Sequence, residues 1–252
     1  MRVFLTGASS GIGEAMARRY ARGGATLGLV ARRADALAAL AGSLGTDVRS
    51  YPADVRDAAA LREAAQDFSS RYGVPDVVIA NAGIGYGTLT EHPEDLAVFR
   101  DILETNVTGM VNTFQPFVAP MRERGAGMLM GIASVAGYRG LPGNGAYSAS
   151  KAAAIAYLES LRVECHGSGV RVVTVCPGYI ATPLTANNPF PMPFLLTADE
   201  FARRLERAVA RGGNHIVLPW QMSLVAKLLT VLPNPLFDWA LSRTRARKPR
   251  RS

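Results

Sequence analysis

The sequence predicts one α/β domain, a doubly wound sheet of about seven parallel strands with helices on both faces. Three observations predict it. Short apolar or β-branched runs alternate along the chain with longer Ala-, Arg- and Leu-rich stretches of helical period, as strand–helix–strand units require. A glycine-rich turn separates the first run from the first helical stretch. The 252 residues, 48% apolar and 19% charged, suffice for one large core and contain no linker-like stretch to divide it.

The strands are read at residues 3–5, 25–30, 48–51, 77–80, 128–132, 170–175 and 215–218. Their apolar character is nearly continuous, which suits strands covered on both faces. Helical patterns fill the intervals, one starting after Gly11 and the others near residues 34–44, 58–72, 93–103, 108–124, 147–166 and 198–211. Parallel neighbours need crossovers of about this length. Residues 178–197 contain Pro183, Pro189, Pro191 and Pro193, with Pro177 beside them, and so cannot form one regular element. A loop this long in a compact domain is usually functional.

Composition narrows the function classes. Cys165 and Cys176 lack paired Cys/His spacing, so they read as buried thiols in a reducing compartment, outside any disulfide framework or zinc site. His92, His166 and His215 share no metal-ligand spacing, and no metal is expected. The formal charge of +8 raises nucleic acid as a partner, but Arg243, Arg245, Arg247, Lys248, Arg250 and Arg251 supply six of those charges within the last ten residues. The remaining chain is only about +2, which removes the case for a basic binding face, and no nucleic-acid partner is expected. Met1 and Arg2 run straight into Val3, Phe4 and Leu5 without a signal-peptide layout, and no stretch reaches the roughly 20 continuous apolar residues of a spanning helix. The expected location is the cytoplasm.

Residues 6–13, Thr-Gly-Ala-Ser-Ser-Gly-Ile-Gly, follow the first strand and open the first helix. A tight turn there needs positive φ, a pyrophosphate needs amides without an intervening Cβ, and the helix N-terminus offers partial positive charge. Gly7, Ser9, Ser10, Gly11, Ile12 and Gly13 are therefore candidate cofactor-binding residues. The spacing G-x-x-x-G-x-G, with no following Gly-Lys-Ser/Thr, excludes a P-loop. This segment resembles the cofactor motif of the short-chain dehydrogenase/reductase family, and later motifs extend the resemblance over residues 1 to about 185. The resemblance implies a Rossmann-type fold, a nicotinamide cofactor and carbonyl/alcohol chemistry on a small molecule.

The second strand ends at Ala31 and is followed by Arg32 and Arg33, where an NAD enzyme places an acidic residue against the ribose hydroxyls. An uncharged Ala31 and the planar donor fork of Arg32 favour a 2′-phosphate, hence NADP(H). Arg33 reads either as a second donor or as a solvent-facing residue. The resemblance adds Asp54 and Val55 at the adenine, and Asn81, Ala82 and Gly83 beneath the cofactor; Asn81 alternatively serves only as a turn residue.

Tyr147 and Lys151 stand four apart, hence on one helix face. A free tyrosine has a pKa near ~10, and a neighbouring ammonium together with the cationic nicotinamide is expected to lower it; Lys151 is also expected to hold the nicotinamide ribose hydroxyls, which makes Tyr147 and Lys151 cofactor-binding candidates as well. Only three of the 28 basic residues are lysine, which makes Lys151 a pointed choice. Ser134 follows an apolar run at a strand end, where its hydroxyl can polarise a carbonyl. Asn106, at the start of the long helix, completes what resembles the family tetrad of Asn106, Ser134, Tyr147 and Lys151. In the family it holds a water in a proton relay; its plainer alternative is an N-cap. Pro177, Gly178, Ile180 and Thr182 resemble the segment beside the nicotinamide amide, although Gly178 also suits a local turn.

Residues 1–219 thus read as the catalytic domain, with 178–198 a substrate lid. Leu184, Phe190, Met192, Phe194, Leu195 and Leu196 suit an apolar substrate there, or burial in the core or against another subunit. Residues 220–252 form an apolar extension with a basic tail. Its two apolar segments, 220–232 and 236–241, are each too short to span a bilayer, and the extension reads as a peripheral anchor at the inner membrane surface, or as packing over the pocket or into a dimer. The resemblance implies a homodimer or homotetramer through the two long helices. Rival readings are a non-enzymatic NADP(H) sensor, a nucleic-acid- or membrane-recruited protein working through its basic tail and, within the enzyme class, a 3-oxoacyl-carrier-protein reductase.

Overall fold

The computed structural model describes residues 1–242, so the basic tail lies outside the described residues. Seven strands form one wholly parallel sheet: β1 (Arg2–Thr6), β2 (Thr26–Ala31), β3 (Val48–Pro52), β4 (Val77–Ala80), β5 (Gly127–Ile132), β6 (Val170–Pro177) and β9 (His215–Leu218). Their order is β3-β2-β1-β4-β5-β6-β9. The chain therefore winds one way from β1 and the other way from β4, leaving a crevice at the carboxyl ends of these two central strands.

Alternation along each strand assigns its side chains to the two faces. Val3, Leu5, Leu27, Leu29, Val77 and Ile79 pack with residues of α1 (Gly11–Arg22), α2 (Ala34–Gly42) and α7 (Ala198–Ala210), Phe201 and Leu205 among them. Phe4, Val30, Val78 and Leu129 meet α3 (Ala58–Tyr72), α5 (Gly109–Arg124) and α6 (Gly145–Glu164) through Phe68, Phe117 and Leu158. Gly28 makes room at this second layer: a Cβ there would lie 2.7 Å from both the Phe4 and Phe68 rings. The rings meet edge to face at 5.7 Å, and burying a side chain of this size contributes roughly 1.5–3 kcal/mol.

Two elements depart from the sequence expectation. Asn106 does not open a helix, because α4 (Asp95–Leu103) runs through one π-turn (Glu104–Thr108) directly into α5, leaving no cap position. The proline-punctuated loop is pinned at its ends by two short parallel strands, β7 (Ile180–Ala181) and β8 (Leu196–Thr197). Beyond the last sheet strand, the apolar extension forms α8 (Gln221–Val231) and α9 (Asn234–Ser242).

Candidate active site

The glycine turn is shaped by contacts from below. Gly7 and Gly11 have φ of +68° and +59°, a region that side chains rarely adopt. A Cβ on Gly7 would sit 2.7 Å from the Ala82 backbone, and one on Gly13 only 2.1 Å from the Gly7 carbonyl oxygen. Asn81 Nδ2 donates to the carbonyls of Thr6 and Gly7, each at 3.1 Å, while its amide donates to Thr6 Oγ1 at 3.2 Å. Asn81 thus fixes the turn to the end of β4. Ser10 occupies the N-cap of α1 in extended conformation without a side-chain cap, so no side chain of its own covers the first-turn amides. Thr182 closes the other side, its Cγ2 lying 3.0 Å from where a Gly11 Cβ would be.

At the end of β2 the two arginines take different partners. Arg33 Nη2 donates to the carbonyl and hydroxyl oxygens of Ser9, both at 3.2 Å, so Arg33 leans onto the glycine turn. Arg32 approaches Asp54 Oδ2 at 4.0 Å. Burial pushes the Asp54 carboxyl up, but hydrogen bonds and charge from Arg56 outweigh it and hold the group below its ordinary range. Val55 is buried where a Gly109 Cβ would strike it, and Asn112 Nδ2 donates to its carbonyl at 2.9 Å.

Asn106, Ser134, Tyr147 and Lys151 are all buried, none more than 9% exposed. Ser134 ends the segment after β5 and caps a 3-10 turn (Val135–Gly137), its Oγ accepting from the Ala136 amide at 3.1 Å. Tyr147, in the first turn of α6, is hydrogen-bonded to Ser134. One turn on, Lys151 Nζ donates to the Ile132 carbonyl at 2.8 Å and stands 5.7 Å from the Tyr147 ring centroid. Gly137 permits this packing, since its Cβ would lie 2.7 Å from the backbone of Lys151. Burial pushes the Tyr147 phenol above its ordinary pKa, and the Ser134 hydrogen bond offsets this only in part. Among the protein's own groups, desolvation of the phenolate outweighs the lowering by Ser134, so Tyr147 holds its proton.

Asn106 joins these groups from the π-turn. Its Oδ1 accepts from the Ile84 amide at 2.8 Å, and its Nδ2 donates to the Ile84 carbonyl and to Ser150 Oγ, each at 2.9 Å. Gly83 is close by: a Cβ would lie 3.2 Å from Asn106 Oδ1 and 3.6 Å from Lys151 Nζ.

Residues 1–190 match the family model described as short chain dehydrogenase. The chain belongs to that family and is an oxidoreductase. It is 41% identical over 244 residues to an uncharacterized oxidoreductase of Myxococcus xanthus, covering 96% of each chain. An alcohol dehydrogenase from Thermococcus sibiricus, solved with 5-hydroxy-NADP, aligns with TM-score 0.74 at 30% identity, over 86% of this chain and 95% of that one. A 3-ketoacyl-(acyl-carrier-protein) reductase from Brucella melitensis, solved with NADH, aligns with TM-score 0.77 at 27% identity, over 86% and 96%.

Three residues of this short-chain dehydrogenase escape the sequence reading. Ser150 is fully buried and accepts from Asn106 while its hydroxyl donates to the Tyr147 carbonyl at 2.8 Å. Its signal was present: a serine three residues after Tyr147 on a helix can bond back to that carbonyl. Met222 of α8 packs where a Gly178 Cβ would be, 2.6 Å from its Cγ, and with Ala226 it rests on Val135, Tyr138 and Tyr179. The Gly178 amide also donates to the Leu218 carbonyl at 2.8 Å, so Gly178 answers to β9 and α8 as well as to its own turn. Tyr138 pairs with His215 Nε2 at 2.5 Å beside the buried Cys176, and this third residue has no sequence signal. Pro177 closes β6, and Ile180 is buried in the core. The loop side chains at 184–195 are all half-buried or exposed. A separate cleft of about 270 Å³ between α1 and α7 has Arg19, Arg22 and Glu200 in its walls and contains none of the candidate site residues.

Proposed function

We propose that this oxidoreductase uses NADPH to interconvert a carbonyl and an alcohol on an apolar small molecule. The observation that carries the reading is the buried Ser134–Tyr147 hydrogen bond, with Lys151 one helical turn beyond. The glycine turn fits a dinucleotide, because positive φ at Gly7 and Gly11 and close backbone approach at Gly7 and Gly13 leave a cradle that side chains would fill. Ser9, Ser10, Gly11, Ile12 and Gly13 would hold the pyrophosphate at the N-terminus of α1. Asp54 and Val55 would meet the adenine, Asn81, Ala82 and Gly83 the underside, and Pro177, Gly178, Ile180 and Thr182 the nicotinamide. When bound, the reduced nicotinamide supplies hydride to the carbonyl carbon.

The chain's own residues do the rest. Ser134 donates a hydrogen bond to the carbonyl oxygen as negative charge builds there. Tyr147, kept protonated by its burial, gives its proton to the same oxygen. Lys151, held by the Ile132 carbonyl, is the cation that stabilises the phenolate left behind. Asn106 fixes the loop at Ile84 to α6 and holds the relay water that the family resemblance implies. Oxidation of the alcohol reverses these steps.

An uncharged Ala31 followed by Arg32 and Arg33 supports NADPH over NADH. Apolar Val135, Tyr179 and Met222 beside the tetrad, and the loop at 178–198 acting as a lid, support an apolar substrate. The proposed assembly is a homodimer or homotetramer through α5 and α6, in the cytoplasm. The test is NADPH oxidation with a panel of aldehydes, ketones, steroids and 3-oxoacyl thioesters. Turnover lost in Tyr147→Phe, with NADPH binding nearly unchanged, is the expected result. Full activity in that variant would overturn the mechanism, and NADPH binding without turnover of any compound would favour the sensor.

A further inference from the structure

We propose that α8 and α9 form a docking surface for an anionic lipid membrane. This surface is separate from the reaction above, and four observations support it.

The first is a one-sided helix. Met222 and Ala226 bury one side of α8 against the turn after Ser134. The opposite side carries Trp220, Leu224, Leu228 and Val231, at steps of four, four and three residues, which is one helical stripe. Leu236 and Trp239 continue the apolar surface on α9, and these six side chains are 55–74% exposed. They include both tryptophans of the protein, the residue type that settles at membrane–water interfaces.

The second is that the hairpin is fixed. Arg139 donates to the Leu229 carbonyl at 2.7 Å, to the Leu232 carbonyl, and to Asn234 Oδ1 at 2.7 Å. Its guanidinium lies 3.9 Å from the centroid of the Phe237 ring. One side chain thus satisfies the end of α8, the break and the start of α9, so the exposed stripe is a formed surface held to the catalytic body.

Third, the helices are of 11 and 9 residues and bend by 117° at the break. Neither reaches the roughly 20 residues of a bilayer span, whereas a short amphipathic helix lies in the interface plane.

Charge supplies the fourth observation and selects the occupant. Residues 220–242 contain only Lys227 and Asp238 as charged groups, and the chain then continues into six basic residues among its last ten with no acidic one. An apolar stripe followed by a polybasic segment complements anionic headgroups. A second copy docked on the same stripe about a twofold axis would bring two such tails together, and like charges oppose that.

The experiment uses the full-length protein and vesicles of phosphatidylcholine, alone or mixed two to one with phosphatidylglycerol. Flotation and intrinsic tryptophan emission are both read, since the two tryptophans lie in the proposed surface. Flotation and a blue shift with the anionic vesicles, weakened by salt, are expected. The double variant Leu224→Asp/Leu228→Asp should lose affinity by at least about tenfold, because it places charge on the inserted face. Its circular dichroism and thermal melt should match the parent, both positions being exposed. A chain ending at Ser242 should lose the preference for anionic over neutral vesicles. No flotation with anionic vesicles would overturn the proposal. So would wild-type affinity in a folded double variant, or a stable dimer that this variant splits into monomers.

Discussion

Asn106 and Ser150 are joined by a buried hydrogen bond of 2.9 Å that ties the π-turn to the helix bearing Tyr147. The bond places Tyr147 by way of Ser150, whose hydroxyl donates in turn to the Tyr147 carbonyl. Replacing Ser150 with Ala removes both contacts but leaves Asn106 its two bonds to Ile84. The expected cost is about 1–2 kcal/mol, a melting temperature lower by roughly 2–8 °C, and a reduced kcat with unchanged KM for NADPH. A Ser150→Ala enzyme with wild-type kcat would show that the bond does not position the tyrosine.

Gly178 and Met222 give a second prediction. The 2.6 Å approach means that Gly178→Ala must displace the Met222 side chain by which α8 packs here. Overpacking of this kind costs about 1–3 kcal/mol. Met222→Ala should restore part of that loss, and a double-mutant cycle on thermal or denaturant unfolding measures the coupling. Strictly additive effects would mean that α8 does not rest on this glycine.

The two arginines after β2 separate by their partners. Arg32→Ala is expected to raise KM for NADPH much more than KM for NADH, as loss of a phosphate donor would. Arg33→Ala also frees Ser9 of the glycine turn, so it should weaken both cofactors, NADPH the more. Steady-state kinetics with each cofactor check this; equal effects of Arg32→Ala on the two would refute the proposed preference.

Alkaline stability should report on Cys176. Burial pushes its thiol up to about 11 from an ordinary 9.0. The unfolded chain then ionises first, so the contribution is fully present below pH 9.0 and is lost as pH rises through about 11. The stability at stake is roughly 2–3 kcal/mol at most. Thermal melts of Cys176→Ala should therefore fall less steeply than those of the parent across this window. Parallel slopes would mean that the thiol ionises equally in both states.

Much of the fold was legible because burial on both faces leaves a plain trace. The apolar runs at 77–80 and 215–218 coincide with β4 and β9, and the helical pattern at 58–72 coincides with α3. The glycine turn and the four residues Asn106, Ser134, Tyr147 and Lys151 stood out by residue type and spacing, and the structure buries those four side chains near Gly83 and the end of β5. What stayed hidden depends on three-dimensional partners. The π-turn has no propensity signature, and helical periodicity cannot distinguish one unbroken helix from two. The direction in which the Tyr147 phenol moves depended on how deeply it is buried, which spacing alone does not reveal. Amphipathicity was visible in 220–232, but which side would meet Val135 and Tyr138 was decided by a glycine more than forty residues earlier.

The π-turn at Glu104–Thr108 holds one residue more than an α-helical turn would. An α-helix advances by about 100° per residue, so the extra residue in the wider turn rotates everything after it by roughly that angle. Deleting one residue there would produce a more regular rod and swing the Asn106 amide away from Ile84 and Ser150. At this point in the chain a regular helix and the Asn106 contacts exclude each other, and a designer who smoothed the irregularity would lose them.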